Sequence, residues 1–538
     1  MTDNLIAVAQ LNVHVGNFVS NVQKIIHEIN EAKAKNVDLI VFPELAVCGY
    51  PPRDFLEFDS FIDSCEDAID QIAKHSKGIH VVVGSPSRNL KSKGKKLFNS
   101  AYHLFNQKIV GVVHKTLLPT YDVFDEYRYF EPNQFFNTFE INGHIYGIAI
   151  CEDLWNTKNN ALYQISPAEE LKKKGAQTII NIAASPFSYK QNACRVATLQ
   201  ENAIQYEVNI VYCNHIGAQT ELIFDGGSFF MNSKGEVTVM ADFFKEELLL
   251  SNSQKSPVDF SKMDLIHGAL LLGIKDYFKK LGFKKAILGL SGGIDSAVTF
   301  ALAAEALGAE NVVGLLMPSG FSSDHSVQDA KELAENLGAT THLISIESIF
   351  KSYQTALAPQ FGDLPFNIAE ENLQARSRGV LLMAMANKFG YILLNTSNKS
   401  EAAVGYGTLY GDMNGGISVL GDLYKTEVFE LARYINRSHE IIPLNSIEKP
   451  PSAELRPDQK DSDSLPDYNV LDEVLFNYIE LRQSSEQIVA LGHDQKLVER
   501  ILRLVNLNEY KRYQTPPTLR VSSKAFGMGR RMPIVAKY

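Results

Sequence analysis

The sequence predicts two successive α/β domains, each built on a sheet with helices packed against it. The chain has 538 residues, more than one hydrophobic core normally serves. Apolar runs of strand length alternate with amphipathic, helix-like stretches in both halves. A polar, proline-containing tract with little apolar periodicity, residues 251–264, lies between the halves. We therefore expect domains over residues 1–250 and 265–538, joined by that linker.

In the first half, apolar runs with the length of strands are separated by polar or amphipathic segments. The predicted strands are Leu5–Leu11, Leu39–Phe42, His80–Val83, Ile109–Val113, Ile145–Ile150, Thr178–Ile182 and Asn209–Cys213. Asn21–Lys35 and Glu169–Lys174 have the pattern of helices. This alternation is typical of a layered α/β domain.

The second half begins with a helix-like run and then alternates strands with helices. The predicted order is helix His267–Leu281, strand Ala286–Leu290, helix from Asp295, strand Val312–Leu316, helix from Ser326, strand Thr341–Ile346, helix from Glu370 and strand Tyr391–Leu394. Such a pattern indicates a doubly wound parallel sheet. A polar tract with prolines follows at Ser446–Tyr468. Its composition is typical either of a long loop that becomes ordered on binding and closes over substrate or of a flexible connector.

Composition excludes some classes of function. The formal net charge of -10 argues against a general nucleic-acid binder, but it is compatible with a small anionic ligand in a local phosphate cradle. The five cysteines form no CxxC pair, and the chain starts without the basic and apolar regions of a signal peptide. We therefore expect free thiols in a reducing, cytoplasmic compartment. No run approaches the ~20 apolar residues of a membrane span.

Three reactive residues follow predicted strands of the first half. Glu44 comes after LIVFP, Lys115 after IVGVVH and Cys151 after IYGIAI. Because open α/β sheets bind ligands at the carboxyl ends of their strands, we expect these side chains to meet. A carboxylate can take the proton of a thiol, and an ammonium group can stabilise the oxyanion of acyl transfer. The backbone N–H of Glu152 is a second candidate oxyanion donor.

The strings around these residues, FPELAVCGYPPRD, HKTLLPTYDVFDEYRYFEP and CEDLW, resemble the three signature blocks of the carbon–nitrogen hydrolase (nitrilase) family. The resemblance implies an α-β-β-α sandwich. It also implies that Glu44 is the general base, Lys115 the oxyanion stabiliser and Cys151 the nucleophile. Glu126 matches a second glutamate of the family more loosely.

The glutaminase branch of that family implies further residues that hold the α-amino and α-carboxylate groups of glutamine. Tyr121 matches one of them, and Ser185, in ASPFSYKQNACR, matches another. The family spacing places a lysine where Gln191 stands, and Lys190 precedes it. The sequence therefore leaves open which of the two contacts glutamine. The cysteines without such flanking patterns are interpreted as structural: Cys48, Cys65, Cys194 and Cys213.

The most specific motif of the second half is GLSGGIDS, which follows a predicted strand. Its glycines let the backbone approach phosphate oxygens, and the next helix points its first N–H groups at them. It lacks the GK[ST] ending of a Walker A loop. SGGxDS after a strand resembles the ATP pyrophosphatase family, whose members release pyrophosphate and attach AMP to a substrate. The ATP-binding residues that this resemblance implies are Gly289, Leu290, Ser291, Gly292, Gly293, Ile294, Asp295 and Ser296.

Five further blocks, ENLQARSRG, LLNTSNKSEAAVGYGTLYGD, LYKTEV, PSAELRP and NEYKR, resemble the NAD synthetases of the glutamine-dependent form. The resemblance covers almost the whole chain and implies a sheet of the adenine nucleotide α-hydrolase type. It also implies a homo-oligomer that uses ATP to amidate deamido-NAD with ammonia from L-glutamine, without nucleic-acid or membrane partners.

The same resemblance assigns residues to the second site. It places Thr396 and Lys425 on ATP, and Asn372, Glu401 and Lys511 on deamido-NAD. Asp295 and Glu401 are hard oxygen ligands suited to Mg²⁺. Arg376 and Arg378 are further candidate partners for anions.

Other interpretations remain open on sequence alone. A tRNA-modifying adenylating enzyme would keep the glycine loop but needs a basic RNA-binding surface, which the acidic balance disfavours. A first domain that only mediates assembly would not need all of Glu44, Lys115 and Cys151. A nitrilase with an unrelated tail would leave GLSGGIDS without a role.

Overall fold

The computed structural model describes residues 4–91, 93–158, 160–457 and 459–537. Asp458, inside the predicted loop Ser446–Tyr468, lies outside the described residues. The chain forms two compact units, Met1–Phe260 and Ser261–Tyr538. Both units are mixed α/β, which confirms the predicted fold class. None of the described helices is long and apolar enough to cross a membrane.

The first unit has long helices and many short strands. Its strands are β1 (Ile6–Gln10), β2 (Leu39–Val41), β3 (His80–Arg88), β4 (Leu97–Phe105), β5 (Lys108–His114), β6 (Thr138–Ile141), β7 (His144–Ile150), β8 (Thr178–Ala183), β9 (Asn209–Asn214), β10 (Ile216–Gln219), β11 (Leu222–Asp225), β12 (Phe229–Met231), β13 (Val237–Met240) and β14 (Glu247–Leu250). Its helices are α1 (Phe18–Ala34), α2 (Asp59–Ala73), α3 (Pro167–Lys173) and α4 (Gln191–Tyr206), with short 3-10 helices at Arg53–Glu57, Glu126–Arg128 and Cys151–Leu154.

Two sheets stack in this unit, one ordered β14-β1-β2-β3-β4-β5 and the other β13-β12-β9-β8-β7-β6. In α1, Val22, Ile25 and Ile29 recur at helical spacing and are buried with α2 on the first sheet. α3 and α4 pack on the second sheet. Between the sheets, the Cys213 thiol donates to the Ala9 carbonyl. The layers are therefore α-β-β-α, as the sequence predicted.

Strand direction brings the ends of several strands to common edges. β1, β2 and β3 are parallel, and β4 is antiparallel to both β3 and β5, so β5 runs in the same direction as β2. In the second sheet, β7, β8 and β9 are parallel. Residues that follow β2 and β5 therefore lie at one edge of the first sheet, and those that follow β7 and β8 at one edge of the second.

Some predicted elements of the first unit were incomplete. β3 continues to Arg88 rather than ending at Val83, because residues 84–88 pair with β4. The sequence of Gly84–Ser87 resembles a turn, and for that reason the predicted strand was too short. β4 itself was not predicted. Its sequence, LFNSAYHLF, does not alternate between apolar and polar residues. Both faces of the strand are buried, and polar residues such as Asn99 have partners inside the sandwich.

The second unit is built on a five-stranded parallel sheet. Its strands are β15 (Ala286–Gly289), β16 (Val312–Leu316), β17 (Thr340–Leu343), β18 (Ile392–Asn395) and β19 (Ile417–Ser418). Its helices are α5 (Lys262–Leu281), α6 (Ile294–Leu307), α7 (Asp324–Leu337), α8 (Glu347–Phe361), α9 (Ile368–Phe389), α10 (Lys399–Val404), α11 (Lys425–Ile435), α12 (Leu444–Glu448), α13 (Tyr468–Ile479), α14 (Ser485–Val489), α15 (Gln495–Leu507) and α16 (Glu509–Arg512). The order β17-β16-β15-β18-β19 is doubly wound. Strand order reverses between β15 and β18, where such sheets bind ligands.

Boundaries in this unit also differ from the predicted ones. α5 begins at Lys262, earlier than the predicted start at His267, because Ser261 and Asp264 form a capping box. β17 ends at Leu343 rather than Ile346, and α8, which follows it, was not predicted.

A buried ion pair ties α4 to the end of β11. Arg195 and Asp225 are both fully buried, and Arg195 Nη2 lies 3.0 Å from Asp225 Oδ1. Asp225→Ala would leave a buried guanidinium group without its carboxylate, so we expect the free energy of unfolding to fall by about 3–5 kcal/mol. Urea unfolding followed by fluorescence of Trp155, the single tryptophan of the chain, measures this change.

The control is Glu31→Ala, which breaks an exposed pair with Lys35 on α1. Such a pair is solvated, so no measurable change is expected. Equal effects of the two substitutions would contradict a structural role for the buried pair.

Candidate active sites

The first site lies where β2, β5 and β7 end, and it is centred on a buried lysine. Lys115 directly follows β5, and its Nζ is 2.7 Å from Glu44 Oε1. The same Nζ is 2.8 Å from Glu126 Oε2. The three side chains are between 0% and 5% exposed. One ammonium group is thus shared by two carboxylates out of contact with solvent.

Neutral donors fix the orientation of both carboxylates. Asn99 Nδ2 donates to Glu44 Oε1 at 2.7 Å, and the backbone N–H of Ala184 donates to Glu44 Oε2 at 2.9 Å. The Tyr50 hydroxyl donates to Glu126 Oε1 at 2.9 Å. Both carboxylates therefore have a single orientation toward Lys115.

Charges in this cluster outweigh the cost of burying the ammonium group. Burial disfavours the charged form of Lys115, but the carboxylates of Glu126 and Glu44 hold its pKa well above the usual range. Burial raises the pKa of Glu126, and Lys115 opposes that rise. The neighbouring carboxylates therefore favour the charged form of Lys115, the form that an oxyanion stabiliser requires.

Cys151 begins the 3-10 helix that follows β7. Its φ of 45° lies in the left-handed region, which non-glycine residues adopt at a cost of roughly 1–3 kcal/mol. Burial and the charge of Glu44 raise the pKa of the thiol well above its usual range, and Lys115 opposes them. The thiol is therefore protonated until a base removes its proton, and Glu44 is the carboxylate with the largest effect on it.

The next residue, Glu152, lies between two tyrosines. The hydroxyl of Tyr121 donates to Glu152 Oε1 at 2.9 Å, and that of Tyr163 donates to the same oxygen at 3.1 Å. Burial raises the pKa of Glu152 to about 7, and Lys115 and the tyrosine hydroxyls oppose the rise. Tyr121, a predicted contact for glutamine, is thus oriented by the residue beside the predicted nucleophile.

The other predicted contacts for glutamine follow β8, the neighbour of β7. The backbone N–H of Ser185 donates to Asn214 Oδ1 at 2.9 Å, and Ser185 is buried. Lys190 is exposed, with its ammonium 5.7 Å from the centre of the Tyr189 ring. Gln191 is half-buried and begins α4. Tyr121 and Ser185 lie at the edge that holds Cys151, and the choice between Lys190 and Gln191 stays open.

The second site is a cavity of about 560 Å³ at the reversal of strand order in the second unit. Of the predicted ATP-binding residues, all except Gly292 line it, including Thr396, which follows β18, and Lys425, which begins α11. The predicted loop segment contributes residues from both sides of Asp458 to the wall. Arg378 also lines the cavity, and its burial lowers the pKa of its guanidinium to about 10.

The glycine loop is shaped by close contacts. Gly292 has φ of 79°, and a Cβ there would lie 2.1 Å from the Ser326 carbonyl oxygen. The Ser291 and Ser296 hydroxyls are 3.1 Å apart, and the N–H of Gly293 donates to Ser291 Oγ. Gly293 precedes α6 as its N-cap, so the first N–H groups of α6 face the loop. Backbone donors at this position suit phosphate oxygens.

A lysine between two carboxylates recurs at this site. Lys425 Nζ lies 2.5 Å from Asp295 Oδ2 and 3.3 Å from Glu401 Oε1. Asn398 Nδ2 donates to Asp295 Oδ1 at 2.9 Å and caps α10, on which Glu401 lies. Burial raises the pKa of Glu401 to about 8, and Lys425 opposes that rise. The ammonium group of Lys425 thus connects the first turns of α6 and α10, the helices that follow β15 and β18.

Comparison with known proteins covers both units. The family model for carbon–nitrogen hydrolases matches residues 5–258, and the model for NAD synthases matches residues 266–515. A glutamine-dependent NAD(+) synthetase of Synechocystis sp. is 46% identical, over 99% of this chain and 99% of that protein. One from Acinetobacter baylyi is 46% identical over 98% of each chain. The chain belongs to the glutamine-dependent NAD(+) synthetase family.

A solved structure of a member of this family has the same fold. The glutamine-dependent NAD(+) synthetase of Acinetobacter baumannii, determined in complex with ADP, gives a TM-score of 0.79 at 41% identity, covering 99% of this chain and 98% of that one. This agreement confirms the family resemblance that the sequence motifs indicated.

Two residues predicted to contact deamido-NAD lie outside the cavity wall. Asn372 Oδ1 accepts a hydrogen bond from the Thr408 hydroxyl at 2.6 Å. Lys511 Nζ donates to the carbonyls of Gly405 and Gly407, and burial lowers its pKa. Arg376 Nε donates to the Leu409 carbonyl. The contacts of Asn372 and Lys511 with deamido-NAD, and of Arg376 with an anion, therefore stay predictions from the sequence.

The chemistry of the acidic pair at the second site fits Mg²⁺, which binds through one or two carboxylates together with phosphates. Asp295 and Glu401, 18% and 16% exposed at the cavity wall, supply two carboxyl groups there. In the described ranges, no group of three His, Cys, Asp or Glu side chains is arranged to hold a metal without phosphate.

Sequence reasoning missed several residues that orient the predicted ones. Asn99, Asp153 and Asn398 lie far from their partners along the chain or carry no motif of their own. CEDLW contains Asp153, but only the fold shows that its carboxylate reaches the segment after Lys115. The signal that could have found Asn398 is its capping-box spacing to Glu401.

The glycine loop allows a test with a matched control. Gly292→Ala would place a methyl group against a backbone carbonyl, so the loop must move and ATP affinity should fall at least about tenfold. Gly338, which ends α7, has φ of 69° but no atom within 4 Å of an added Cβ. Gly338→Ala therefore carries the same backbone strain without the clash. Calorimetric titration with ATP–Mg²⁺ should separate the two variants, and equal affinities would contradict the role of the loop.

The raised pKa of Glu152 predicts that the stability of the protein depends on pH. Because burial raises its pKa to about 7, the folded state binds its proton more tightly than the unfolded chain does. Its stabilising contribution is therefore present below about pH 4.5 and is lost as pH rises through 7. The glutamine of Glu152→Gln stays neutral at every pH. The free energy of unfolding of this variant minus that of the wild type should therefore rise by about 2–3 kcal/mol from pH 5 to pH 8. Urea unfolding followed by Trp155 fluorescence measures it, and a pH-independent difference would refute the assignment.

Proposed function

We propose that the protein makes NAD(+) by ATP-dependent amidation of deamido-NAD, with ammonia released from L-glutamine in the first unit. The observation that carries this proposal is that one chain holds both a buried Glu44–Lys115 pair beside Cys151 and a glycine loop on a cavity lined by Lys425. Membership of the glutamine-dependent NAD(+) synthetase family supports the same combination.

In the second unit, the nicotinate carboxylate attacks the α-phosphate of ATP, and pyrophosphate leaves. The product is an acyl adenylate, in which the carboxyl carbon is activated toward a nitrogen nucleophile. The N–H groups of the glycine loop and Lys425 bind the phosphate oxygens and neutralise the charge that develops. When bound by Asp295 and Glu401, Mg²⁺ supplies further positive charge to the phosphates. Ammonia then displaces AMP and gives the amide.

In the first unit, Cys151 attacks the side-chain amide of glutamine while Glu44 takes the thiol proton. Lys115 and the backbone N–H of Glu152 stabilise the oxyanion. Collapse of this intermediate releases ammonia, whose third proton comes back from Glu44, and leaves a thioester. Glu44 then activates a water molecule that hydrolyses the thioester to glutamate and the free thiol.

Assembly and location are part of this proposal. Ammonia is reactive only as the neutral molecule, so its transfer favours a route shielded from bulk water. We propose a glutaminase domain over residues 1–250, a linker at 251–264 and a synthetase domain over 265–538, assembled as a homo-oligomer. A reducing, cytoplasmic environment would keep Cys151 as a free thiol, the form in which it acts.

The two nitrogen sources give the decisive test. We expect wild-type protein to form NAD(+) from deamido-NAD, ATP and Mg²⁺ with either glutamine or ammonium. Cys151→Ala should lose the glutamine-dependent reaction by more than about 10³-fold and keep the ammonium-dependent one, because only the first unit uses the thiol. Cys194→Ala, which changes an exposed thiol on α4, is the matched control and should keep both.

The nucleotide product tests the second unit separately. Adenylation yields AMP and pyrophosphate, whereas phosphorylation of the substrate would yield ADP. AMP formation without NAD(+) would indicate a different acceptor and would leave only the adenylating loop of the proposal standing.

A further inference from the structure

The carboxylate of Asp153 joins two segments that belong to different sheets. Its Oδ2 accepts the backbone N–H of Ile150 at 2.9 Å, directly before Cys151. Its Oδ1 accepts the N–H groups of Thr116 and Leu117 at 2.9 and 2.8 Å, directly after Lys115. One side chain therefore connects the residue before the proposed nucleophile to the residues after the proposed oxyanion stabiliser.

The hydrogen bonds of Asp153 connect the ends of two strands that are not paired in any sheet that the structure describes. β5, which Lys115 directly follows, belongs to the first sheet, and β7, which Cys151 directly follows, belongs to the second. No backbone ladder joins these strands in the described residues. The distance between the ammonium and the thiol therefore depends on side-chain links such as Asp153.

Asp153 also acts on the strained turn of Cys151. A positive φ at a non-glycine residue persists only when the surroundings over-determine it. Asp153 closes a ring back to the N–H of Ile150, the residue directly before the strained one, and it is only 3% exposed. Its two oxygens accept three backbone N–H groups, so these contacts serve the backbone around Lys115 and Cys151.

We propose that Asp153 is a positioning residue for glutamine hydrolysis: it sets the spacing and orientation of Cys151 relative to Lys115. This inference rests on the proposed function of the first unit. A displacement of about 1 Å in a reacting group can cost on the order of 10²-fold in rate. Loss of the link should therefore act on the chemical step, without removing any group that touches glutamine.

The test uses Asp153→Asn in the full chain. An asparagine keeps the shape and can still accept from Thr116 and Leu117, but its amide N–H₂ would face the N–H of Ile150. We expect kcat for glutamine hydrolysis to fall about 10- to 100-fold with little change in KM. Ammonium-dependent NAD(+) formation should be unchanged. Asp67→Asn, on the exposed face of α2, is the matched control.

Alkylation of the thiol separates positioning from misfolding. In a Cys194→Ser background, Cys48, Cys65 and Cys213 are 0% exposed, whereas Cys151 is 5% exposed. Iodoacetamide therefore reports mainly on Cys151, whose thiolate displaces iodide. If Asp153 positions Cys151, Asp153→Asn should lower the rate constant of alkylation by a factor similar to that for kcat. The amplitude of labelling should stay the same as in the wild type. Asp153→Glu tests the same link with a misplaced carboxylate and should also lower the rate constant.

Each outcome bears on a separate claim. A lower amplitude with an unchanged rate constant, and a kcat that falls only in proportion to that amplitude, would overturn the positioning role and leave Asp153 as a residue needed for folding. Unchanged kcat and unchanged alkylation would also overturn it. If the wild-type protein fails to hydrolyse glutamine, the proposed function fails instead, and the rate constants of alkylation still decide the role of Asp153.

Discussion

A lysine ammonium group buried between two carboxylates is the interaction on which each unit depends. Lys115 connects Glu44 to Glu126, and Lys425 connects Asp295 to Glu401, so elements distant in sequence meet at each centre. Removing Lys115 would leave two uncompensated buried carboxylates, at a cost of about 3–5 kcal/mol. Lys115 is therefore required by the fold as well as by the proposed chemistry, and its substitution alone does not distinguish the two roles. Residues that accept only backbone N–H groups, such as Asp153, are more informative because they carry less of the charge balance.

The sequence was most informative where chemistry is local. GLSGGIDS lies within one strand–loop–helix unit, so its conformation and its cavity could be expected without knowing the rest of the sheet. Glu44, Lys115 and Cys151 are far apart in sequence, but each follows the carboxyl end of a strand, and β2 and β5 run in the same direction in one sheet. The fold class could be predicted for the same reason, since alternation of strands and helices is a local pattern.

What the sequence did not reveal depends on pairing between distant segments. β4 resembles a loop because it buries polar residues on both faces, and Asn99 finds its partner Glu44 across the sandwich. Likewise, Lys511 resembles a basic group in solution, whereas the fold turns it toward two carbonyls of the loop after α10. In each case a polar group is buried at a cost that only a partner elsewhere in the chain offsets, and local patterns do not reveal such a partner.

The two centres differ in exposure because they must handle charge differently. In the mechanism proposed for the first, transfer of a proton from Cys151 to Glu44 leaves the total charge unchanged, and the oxyanion that follows forms beside Lys115. A site whose side chains are at most 5% exposed can serve such a reaction. At the second, Lys425 already lies between Asp295 and Glu401, and a triphosphate brings several negative charges that one ammonium group does not balance. Such a ligand cannot enter a closed site, since the desolvation cost would fall on every charge at once. An open cavity, backbone N–H donors that carry no net charge, and a carboxylate pair able to share a divalent cation with the phosphates together meet that requirement.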